Sequence, residues 1–332
     1  MEKLLLTGGL GYIGSKFIEK YSQNYEIKIL DTNFFSNQNF FGNNIINKDI
    51  REISKNDVSG FDYVVHMGEL SNDPLGKLNP KITNEINHTG TKQLLNLCNK
   101  STVKKFIYMS SASVYGFSEK ESSEVSPLNP LTEYAKAKVQ NENYIKKNDF
   151  SFETIILRNS TAFGYSNNFR LDLVINDLVF TGIRDRKLKI LSDGTPKRPF
   201  VHVDDICNVI NTFLKKEVIN NKEIFNVGSK DLNLSIREVS EKIATHLGID
   251  NLTFGAKDPD QRSYYLNFNK LNKTLENFKF NYDLDKGIEN LIANYENHVF
   301  SGNEIRISKI NKLLKENKVN DYLYWNVTNN TF

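Results

Sequence analysis

The stretch Met1-Glu-Lys-Leu-Leu-Leu-Thr-Gly-Gly-Leu-Gly-Tyr-Ile-Gly14 decides the fold that we expect for this chain. Leu4–Leu6 is an apolar run typical of a buried strand, and a turn and then a helix are predicted after it. Gly8 can adopt the tight turn, Gly11 lets a pyrophosphate approach the backbone, and Gly14 lets the helix pack closely on the strand. The free N–H groups at such a helix start bind phosphate. The stretch therefore predicts a dinucleotide site, although similar glycine turns also occur in structural loops.

The second predicted strand, Tyr25–Asp31, ends in an acid 17 residues after Gly14. A carboxylate at this point accepts hydrogen bonds from the hydroxyls of an adenosine ribose. It also repels a 2′-phosphate, and no Lys or Arg lies between Asp31 and Lys48 to bind one. These features predict NAD rather than NADP as cofactor; the alternative is a solvated carboxylate at a strand end.

The composition limits the class of protein. The 332 residues carry a net charge of +3 with both signs well mixed, so no nucleic-acid partner is implied. The two cysteines, Cys98 and Cys207, lack metal-ligand spacing and are predicted to be buried thiols in a reducing compartment. There is no signal-peptide pattern and no apolar run near the ~20 residues that span a bilayer. We therefore expect a cytoplasmic protein without a metal or a membrane segment.

Strand and helix patterns alternate from the start of the chain, which predicts the α/β class with a Rossmann-type doubly wound parallel sheet. The strand cores are Leu4–Leu6, Ile27–Leu30, Tyr63–His66, Phe106–Met109 and Thr154–Leu157, and helices are predicted at about 14–23, 83–100 and 132–148. We assign residues 1–165 and 199–227 to the sheet domain, 166–198 and 228–300 to a smaller C-terminal α/β substrate-binding region, and 301–332 to a helical tail. In this tail Ile307, Ile310, Leu313 and Leu314 have helical spacing and predict a packing face.

The segment Asn47–Ile50 interrupts the second crossover. A short strand there would turn Asp49 toward the adenine end of a cofactor, with Ile50 beside it. A surface acid explains the same residue equally well.

Two segments carry side chains suited to chemistry. Ser110–Gly116 follows the strand Phe106–Met109, and hydroxyls at the C-terminal end of a parallel strand face the ligand crevice. Tyr134 and Lys138 lie four residues apart on a predicted helix and therefore share one face. An ammonium near a phenol favours the phenolate and makes tyrosine a usable base. This spacing is also common on solvated helices, so its meaning depends on the other motifs.

The combined motifs resemble the extended short-chain dehydrogenase/reductase family, specifically its nucleotide-sugar epimerases and dehydratases. The resemblance covers about residues 1–300 and rests on Thr7–Gly14, Asp31, Asn87, Ser111 and the Tyr134/Lys138 pair. It implies an NAD-binding domain and a smaller region that grips a nucleoside diphosphate sugar. By motif match, Ser111 would hydrogen-bond the sugar hydroxyl, Tyr134 would be the catalytic base, and Lys138 would bind the nicotinamide ribose.

The resemblance also implies the binding residues. For the cofactor these are Gly8, Gly11, Tyr12, Ile13, Gly14, Asp31, Asp49, Ile50, Asn87, Tyr134 and Lys138. For the substrate they are Ser111, Ser113, Asn159, Arg170, Asn176, Arg198 and Arg262, with the arginines suited to the diphosphate. A homodimer is expected, because the helices near 83–100 and 132–148 form a shared bundle in that family. Leu94, Leu95 and Leu97 would supply its apolar surface.

Position 112 separates the reaction types of the family. The 4,6-dehydratases carry an Asp-Glu pair where this chain has Ala112 and Ser113, and the 3,5-epimerase/reductases carry a cysteine at position 112. One departure concerns the usual His-x-Ala-Ala after the third main strand, which reads His66-Met-Gly-Glu69 here. The carboxylate of Glu69 either alters substrate fit near the nicotinamide or faces away.

We therefore expect an NAD-dependent nucleotide-sugar 4-epimerase that acts through a transient 4-keto sugar. An alternative is a net C4 dehydrogenase or ketoreductase using the same residues. Leu70–Gly76 resembles less characterised members of the family, some of which oxidise GDP-heptoses or related sugars at C4 without epimerising them. A non-catalytic NAD-binding scaffold is a remote third hypothesis. Such proteins usually lose the Tyr/Lys pair or gain a basic patch, and this chain does neither.

Overall fold

A central sheet of seven parallel strands organises the computed structural model, which describes residues 1–35, 44–71, 79–217, 220–256 and 263–326. The strands of the chain are β1 Glu2–Thr7, β2 Tyr25–Asp31, β3 Ile45–Asn47, β4 Tyr63–His66, β5 Lys105–Ser111, β6 Glu153–Asn159, β7 Thr161–Phe163, β8 Leu188–Ile190, β9 Lys197–His202, β10 Glu223–Val227, β11 Asn233–Ser235 and β12 Leu252–Phe254. The order in the central sheet is β10-β6-β5-β4-β1-β2-β3. The predicted Rossmann-type doubly wound sheet is confirmed.

Helices cover both faces of this sheet and build the second region. They are α1 Tyr12–Tyr21, α2 Lys55–Val58, α3 Pro80–Asn84, α4 Thr91–Cys98, α5 Glu133–Lys147, α6 Val174–Asp185, α7 Val203–Lys215, α8 Ile236–Leu247, α9 Asn269–Thr274, α10 Leu284–Tyr295 and α11 Arg306–Lys315. A π-helical turn, Glu85–Gly90, joins α3 to α4. Ser235 caps α8 through a capping box with Glu238, as the spacing of the two residues predicts.

The apolar run Leu4–Leu6 is explained by burial on both faces of the sheet. Leu4 and Leu6 belong to one core cluster, Leu5 belongs to the opposite one, and none of the three is exposed. Parallel strands covered on both faces are apolar at every position for this reason. Both cysteines are buried and free, as predicted.

Two small sheets lie outside the central one. In the first, β9 pairs antiparallel with β11 and parallel with β7; in the second, β12 pairs with β8. Of residues 199–227, which we assigned to the NAD-binding domain, β10 joins the central sheet and α7 packs on the core cluster of Leu4 and Leu6, whereas β9 stays outside that sheet. The ladder hydrogen bonds of β9 go to β7 and β11 instead.

The tail helix α11 packs on the sheet domain. Ile310 and Leu313 are 0% and 3% exposed and join the core cluster that contains Leu5. The packing face predicted from the spacing of the tail leucines and isoleucines is confirmed. No helix in the described ranges is long and apolar enough to cross a membrane.

The expected dimer surface is wrong in one respect. Leu94 and Leu95 are fully buried within the monomer core, and only Leu97 keeps partial exposure. The helix turns two of these leucines toward the sheet, so they are not available to a partner. The homodimer itself stays a prediction.

A buried ion pair joins the long helix α5 to the sheet. The guanidinium of Arg158 on β6 donates to both carboxylate oxygens of Glu142, from Nε at 3.0 Å and Nη2 at 2.6 Å. Both side chains are 1% exposed. Ser110 donates to Glu142 at 2.6 Å, and Arg158 Nη1 donates to the Tyr115 hydroxyl at 2.7 Å. The pair thus fixes α5 relative to β5 and β6.

Replacing one partner of this pair should destabilise the fold strongly. We expect Arg158→Met to lower the free energy of unfolding by about 3–5 kcal/mol, because Glu142 is left as an unpaired buried carboxylate. The measurement is urea unfolding of the cofactor-free protein.

The control for Arg158→Met is Arg184→Met. Arg184 pairs with Asp185 at 2.8 Å, but its side chain is 63% exposed, so we expect a loss of less than about 1 kcal/mol. The double variant Glu142→Leu/Arg158→Met should recover part of the stability lost in Arg158→Met. Equal losses from Arg158→Met and Arg184→Met would contradict the structural role of the buried pair.

Candidate functional site

The glycine turn after β1 packs against the loop after β4 at the C-terminal edge of the sheet. Gly8 has a positive φ of 70°, and a Cβ there would lie 2.7 Å from the backbone N of Gly68. Thr7 Oγ1 accepts hydrogen bonds from the N–H groups of Met67 and Gly68 at 3.3 and 3.2 Å. The two loops therefore approach at the point where the strand order reverses, which is where ligands bind in this fold class.

The start of α1 is open for an anion. Its N-cap is Gly11, which has no side chain to cap the first-turn N–H groups. A Cβ on Gly11 would come within 3.0 Å of Gly8 O, and one on Gly14 would lie 2.5 Å from Gly9 O. We had expected Gly14 to let the helix pack closely on the strand. Its close contact is instead with Gly9 in the turn. These N–H groups and the helix dipole suit a phosphate.

A cavity of about 1040 Å³, including solvent at its mouth, opens in front of this turn. It is lined by Gly8, Gly11, Tyr12, Ile13, Gly14, Asp31, Asp49 and Ile50, together with residues discussed below. The structure thus brings together eight of the residues predicted to bind the cofactor.

Asp31 is held at the wall of the cavity by backbone groups. Its Oδ2 accepts from Leu10 N at 3.1 Å and its Oδ1 accepts from Asn33 N at 2.8 Å. Burial raises the pKa of this carboxyl, while the two backbone hydrogen bonds act in the opposite direction. The local turn therefore fixes the carboxylate in place.

Asp49 is not a surface acid, since it is 7% exposed and lines the cavity. Its two carboxylate oxygens receive Arg51 Nε at 2.9 Å and Arg51 Nη2 at 2.7 Å. Ile50 lies beside it on a short 3₁₀ turn, Ile50–Glu52. Asp49 is thus committed to an intramolecular pair.

Asn87 is fully buried and fixes the loop after β4. Its Oδ1 accepts from Leu70 N at 2.8 Å and its Nδ2 donates to Leu70 O at 3.0 Å. Leu70 in turn lines the cavity. Asn87 therefore shapes the cavity wall through Leu70.

The serine cluster follows β5 directly. Ser111 Oγ accepts from Ser113 N at 3.2 Å and from Ser113 Oγ at 3.0 Å. Asn159, the register neighbour of Ser111 on β6, donates to Ser110 O at 3.2 Å. Its Oδ1 is buried without a hydrogen bond among the described residues. Three predicted substrate residues thus lie together at the end of two adjacent strands.

Tyr134 and Lys138 share one face of α5, as predicted. The ammonium of Lys138 lies 5.4 Å from the centre of the Tyr134 ring and 4.9 Å from that of Tyr108. Lys138 is 3% exposed and donates to Met109 O at 2.5 Å. The helix therefore delivers its lysine to the end of β5.

Glu69 faces the site and contacts Lys138. One carboxylate oxygen lies 2.8 Å from Lys138 Nζ, and the other accepts from the Tyr108 hydroxyl at 2.9 Å. Burial lowers the pKa of Lys138, but Glu69 and Tyr134 outweigh it, so the net shift is upward. The departure from the usual alanine thus gives the ammonium a buried counter-ion.

The neighbouring His66 is a neutral structural residue. Its Nδ1 is 2.6 Å from Thr7 Oγ1 and its Nε2 is 2.7 Å from Thr91 Oγ1. Burial, followed by the charge of Lys138, lowers the pKa of His66 to about 3. The histidine therefore carries no charge near neutral pH.

Arg170 lines the same cavity as Asp31. Its Nε is paired with Asp172 Oδ1 at 2.7 Å, and its Nη1 donates to Ser71 Oγ at 3.3 Å. Asn176 is 0% exposed; its Oδ1 accepts from Gly164 N at 2.9 Å and its Nδ2 donates to Arg170 O at 3.0 Å. We therefore revise Asn176 from a substrate contact to a support for the backbone of Arg170.

Of the two remaining predicted arginines, the structure describes Arg198. Arg198 lies on β9, outside the cavity lining, with its guanidinium 5.7 Å from the Tyr264 ring centre. Arg262 lies outside the described residues.

The cavity lining includes residues that the sequence did not point to, among them the cation Arg306. It lies at the start of α11 and lines the cavity with Asp31 and Arg170. Only its place in an amphipathic tail was visible in the sequence, which predicts packing and says nothing about a ligand. No Lys or Arg lies between Asp31 and Lys48 in the sequence, but the tail places the cation Arg306 in the same cavity as Asp31.

The cavity fits a dinucleotide with acidic phosphates and a ribose diol. An uncapped helix start, a glycine wall that any Cβ would fill and a fixed carboxylate line one continuous space. Phosphates suit the first of these features and ribose hydroxyls suit the last.

Comparisons with known proteins agree with this geometry. A family model described as the NAD dependent epimerase/dehydratase family matches residues 4–228. A putative UDP-glucose 4-epimerase of Methanocaldococcus jannaschii is 28% identical over 304 residues, covering 87% of this chain and 97% of that protein. A dTDP-D-glucose 4,6-dehydratase of Dictyostelium discoideum is also 28% identical; the match covers 73% of this chain and 62% of that protein.

Solved structures show the same fold. A UDP-glucuronic acid 4-epimerase from Bacillus cereus, in complex with UDP-glucuronic acid and NAD, superposes with a TM-score of 0.78 at 23% identity. The superposition covers 99% of that chain and 89% of this one. About a tenth of the present chain therefore has no counterpart in it.

Asp31 should set the preference between NAD and NADP. We expect Asp31→Ala to weaken NAD binding and to narrow the affinity ratio of NAD to NADP by roughly tenfold or more, because the repulsion of a 2′-phosphate is removed. Titration calorimetry with each dinucleotide measures both affinities.

Asp62→Ala is the control for Asp31→Ala. Asp62 pairs with Lys104 at 2.8 Å, and it is not part of the cavity lining. This variant should leave the affinity ratio unchanged. Similar affinities of the unaltered protein for NAD and NADP would remove the argument.

Proposed function

The chain belongs to the NAD-dependent epimerase/dehydratase family, whose members are NAD-dependent enzymes, and from this premise we propose that it is a nucleotide-sugar 4-epimerase. The resemblance to the extended short-chain dehydrogenases/reductases is thereby confirmed, and NAD is the cofactor of the family. The proposal goes further in naming the reaction, the substrate class and the residues that act.

The observation that carries the proposal is the arrangement of Tyr134, Lys138 and Ala112 at the end of β5. Tyr134 and Lys138 lie together, with the ammonium 5.4 Å from the ring centre. Ala112 is 1% exposed at the start of the 3₁₀ turn Ala112–Tyr115, where the dehydratases carry an acid. A site with a tyrosine base and without the acid pair suits oxidation and reduction at one carbon.

The residues divide the work as follows. Tyr134 takes the proton of the C4 hydroxyl, and Ser111 holds that hydroxyl. Lys138 favours the phenolate of Tyr134 through its positive charge. NAD, when bound, supplies the capacity to accept a hydride and to return it. After the 4-keto sugar turns over in the pocket, the hydride would return to the opposite face of C4, and Tyr134 would give its proton back to the C4 oxygen.

The nucleoside diphosphate sugar is proposed from the relatives and from the arginines. Arg170 lines the cavity next to Ser71, and a guanidinium has five N–H donors that suit an anion. Arg198 lies on the smaller region that we assign to the sugar nucleotide. A fork of N–H groups matches phosphate oxygens in both geometry and charge.

A product analysis in D₂O tests the reaction. We expect one sugar of a panel of UDP-, GDP-, dTDP- and CDP-sugars to be inverted at C4, with C5 unlabelled and without accumulation of NADH. Tyr134→Phe should lower turnover by roughly 10²–10⁴-fold, because an acid–base group is lost. NMR of the products and absorbance of NADH are the measurements.

The matched control for this test is Tyr144→Phe on the same helix. Tyr144 donates to Asn96 at 2.8 Å on the protein surface and should not affect turnover. Deuterium at C5 or a product lighter by one water would identify a dehydratase. Stoichiometric NADH with a released ketone would identify a net C4 dehydrogenase. Either outcome would contradict the 4-epimerase.

Glu69 should set the pH range of this activity. We expect Glu69→Gln to move both limbs of the pH profile of kcat/KM toward acid, by on the order of one unit. Without the carboxylate, the charge of Lys138 acts on the phenolate of Tyr134 without opposition, which shifts the acid limb. Lys138 also loses the partner that raises its pKa, which shifts the alkaline limb.

Glu133→Gln serves as the control for Glu69→Gln. Glu133 precedes Tyr134 in the sequence, but it pairs with Lys136 at 2.7 Å on the surface and is 36% exposed. Its pH profile should match that of the unaltered enzyme, because solvent screens the charge. An unchanged or alkaline-shifted profile for Glu69→Gln would show that Glu69 does not act on the Tyr134/Lys138 pair.

A further inference from the structure

The C-terminal segment Ser301–Asn326 contacts the wall of the cofactor cavity at three separate places. It is anchored by Ile310, Leu313, Val319 and Leu323, which are each at most 3% exposed and belong to the core cluster of the sheet domain. A β-bridge between Val319 and Trp325 closes its last turn. The segment is therefore a built part of the domain.

The first contact is with the loop that follows Asp31. Trp325 Nε1 donates to Thr32 O at 2.7 Å, and the Trp325 ring lies 5.4 Å from that of Phe34. Thr32 and Phe34 line the cavity next to Asp31. The tryptophan thus holds the loop whose backbone orients the Asp31 carboxylate.

The second contact is with the Asp49/Arg51 pair. Arg51 Nη1 donates to Tyr322 O at 2.9 Å, and the guanidinium lies 3.8 Å from the centre of the Tyr324 ring. The same guanidinium binds both oxygens of Asp49. The tail therefore stabilises the side of the cavity that carries Asp49 and Ile50.

The third contact is Arg306, which enters the cavity lining itself. It is 2% exposed, and its guanidinium donates hydrogen bonds to three neutral groups: Asn303 O, Asn168 O and Asn168 Oδ1. Its guanidinium also lies 4.6 Å from the Phe35 ring centre. Arg170 lines the same wall, and its Nε is already paired with Asp172.

The electrostatics of Arg306 are those of a site for an anion. Burial, followed by the nearby charge of Arg170, lowers the pKa of Arg306 to about 9, and Asp172, Asp31 and Glu304 offset this only in part. A buried guanidinium that is stabilised so incompletely is costly unless an anion completes its coordination. The pyrophosphate of a dinucleotide supplies that charge.

We propose that Ser301–Asn326 is a clasp that retains NAD, with Arg306 as the cation for the cofactor's phosphates and Trp325 as the anchor of the Asp31 loop. In the proposed 4-epimerase, this retention would keep NADH bound until the ketone is reduced. The inference depends on the NAD dependence of the family rather than on the choice of reaction.

Binding measurements on the full chain without a sugar test the clasp. Arg306→Gln should weaken NAD and ADP-ribose by roughly tenfold or more each, because a charge-assisted contact with the phosphates is lost. Trp325→Ala should speed the release of NADH. The release rate is measured from the change in NADH fluorescence when excess NAD displaces the bound NADH. Lys315→Gln, an exposed cation on the same helix, should change neither quantity.

The thermal midpoint of the cofactor-free protein separates a ligand cation from a structural one. Because the charge of Arg306 is poorly stabilised without an anion, Arg306→Gln should leave that midpoint unchanged or raise it. A lower midpoint with unchanged affinity for NAD would make Arg306 a packing residue and overturn the proposal. If Arg306→Gln weakened the binding of NADP but not of NAD, the proposal would also be overturned, because Arg306 would then bind the 2′-phosphate rather than the pyrophosphate.

The anchor is tested separately. Trp325→Ala that unfolds at a lower temperature but releases NADH at the normal rate would show that the tail only stabilises the fold. A result against the clasp from either variant does not bear on the proposed 4-epimerase activity, since none of these measurements involves a sugar. Inversion at C4, in turn, is measured without reference to the tail.

Discussion

The buried pair between Glu142 and Arg158 is the interaction on which the arrangement of the site depends. A carboxylate and a guanidinium that are each 1% exposed are costly to desolvate, and they are stabilised only when their hydrogen bonds are complete. Completion requires β6 to supply the arginine, β5 to supply Ser110, and α5 to supply the glutamate. Since Tyr134 and Lys138 lie on the same helix, this requirement also fixes the position of the two residues proposed for proton transfer.

A second buried carboxylate acts on this helix about one turn before Glu142, at Lys138. Glu69 lies 2.8 Å from the ammonium of Lys138, while Lys138 also donates to the backbone of Met109. The ammonium is therefore held by one charged and one neutral acceptor before any ligand arrives. Such a site keeps its lysine charged, and it moderates the effect of that charge on the neighbouring tyrosine. The usual alanine at position 69 would leave only the second acceptor.

The cavity is enclosed by parts of the chain that are far apart in sequence. The glycine turn belongs to β1 and α1, Leu70 is positioned by Asn87, and Arg306 comes from the tail. A site assembled in this way forms only in the folded protein, and its electrostatic balance depends on all of its parts. This explains why the cavity contains a poorly stabilised arginine: the energy of the fold supports a charge arrangement that a bound anion would complete.

The sequence by itself determined the features that depend on short spacing. The glycine turn, the acid at the end of β2 and the shared face of Tyr134 and Lys138 follow from helix and strand periods, which are local properties. The α/β class followed from the alternation of the two periods. Only the tertiary structure decided which side chains pack inside the domain and which line the cavity. It placed Leu94 and Leu95 in the core and buried Asn176 against the backbone of Arg170. It also brought Glu69 to Lys138 and Arg306 to the cavity of Asp31. These are contacts between distant segments, and no local pattern encodes them, because packing selects them from many side chains of the same type.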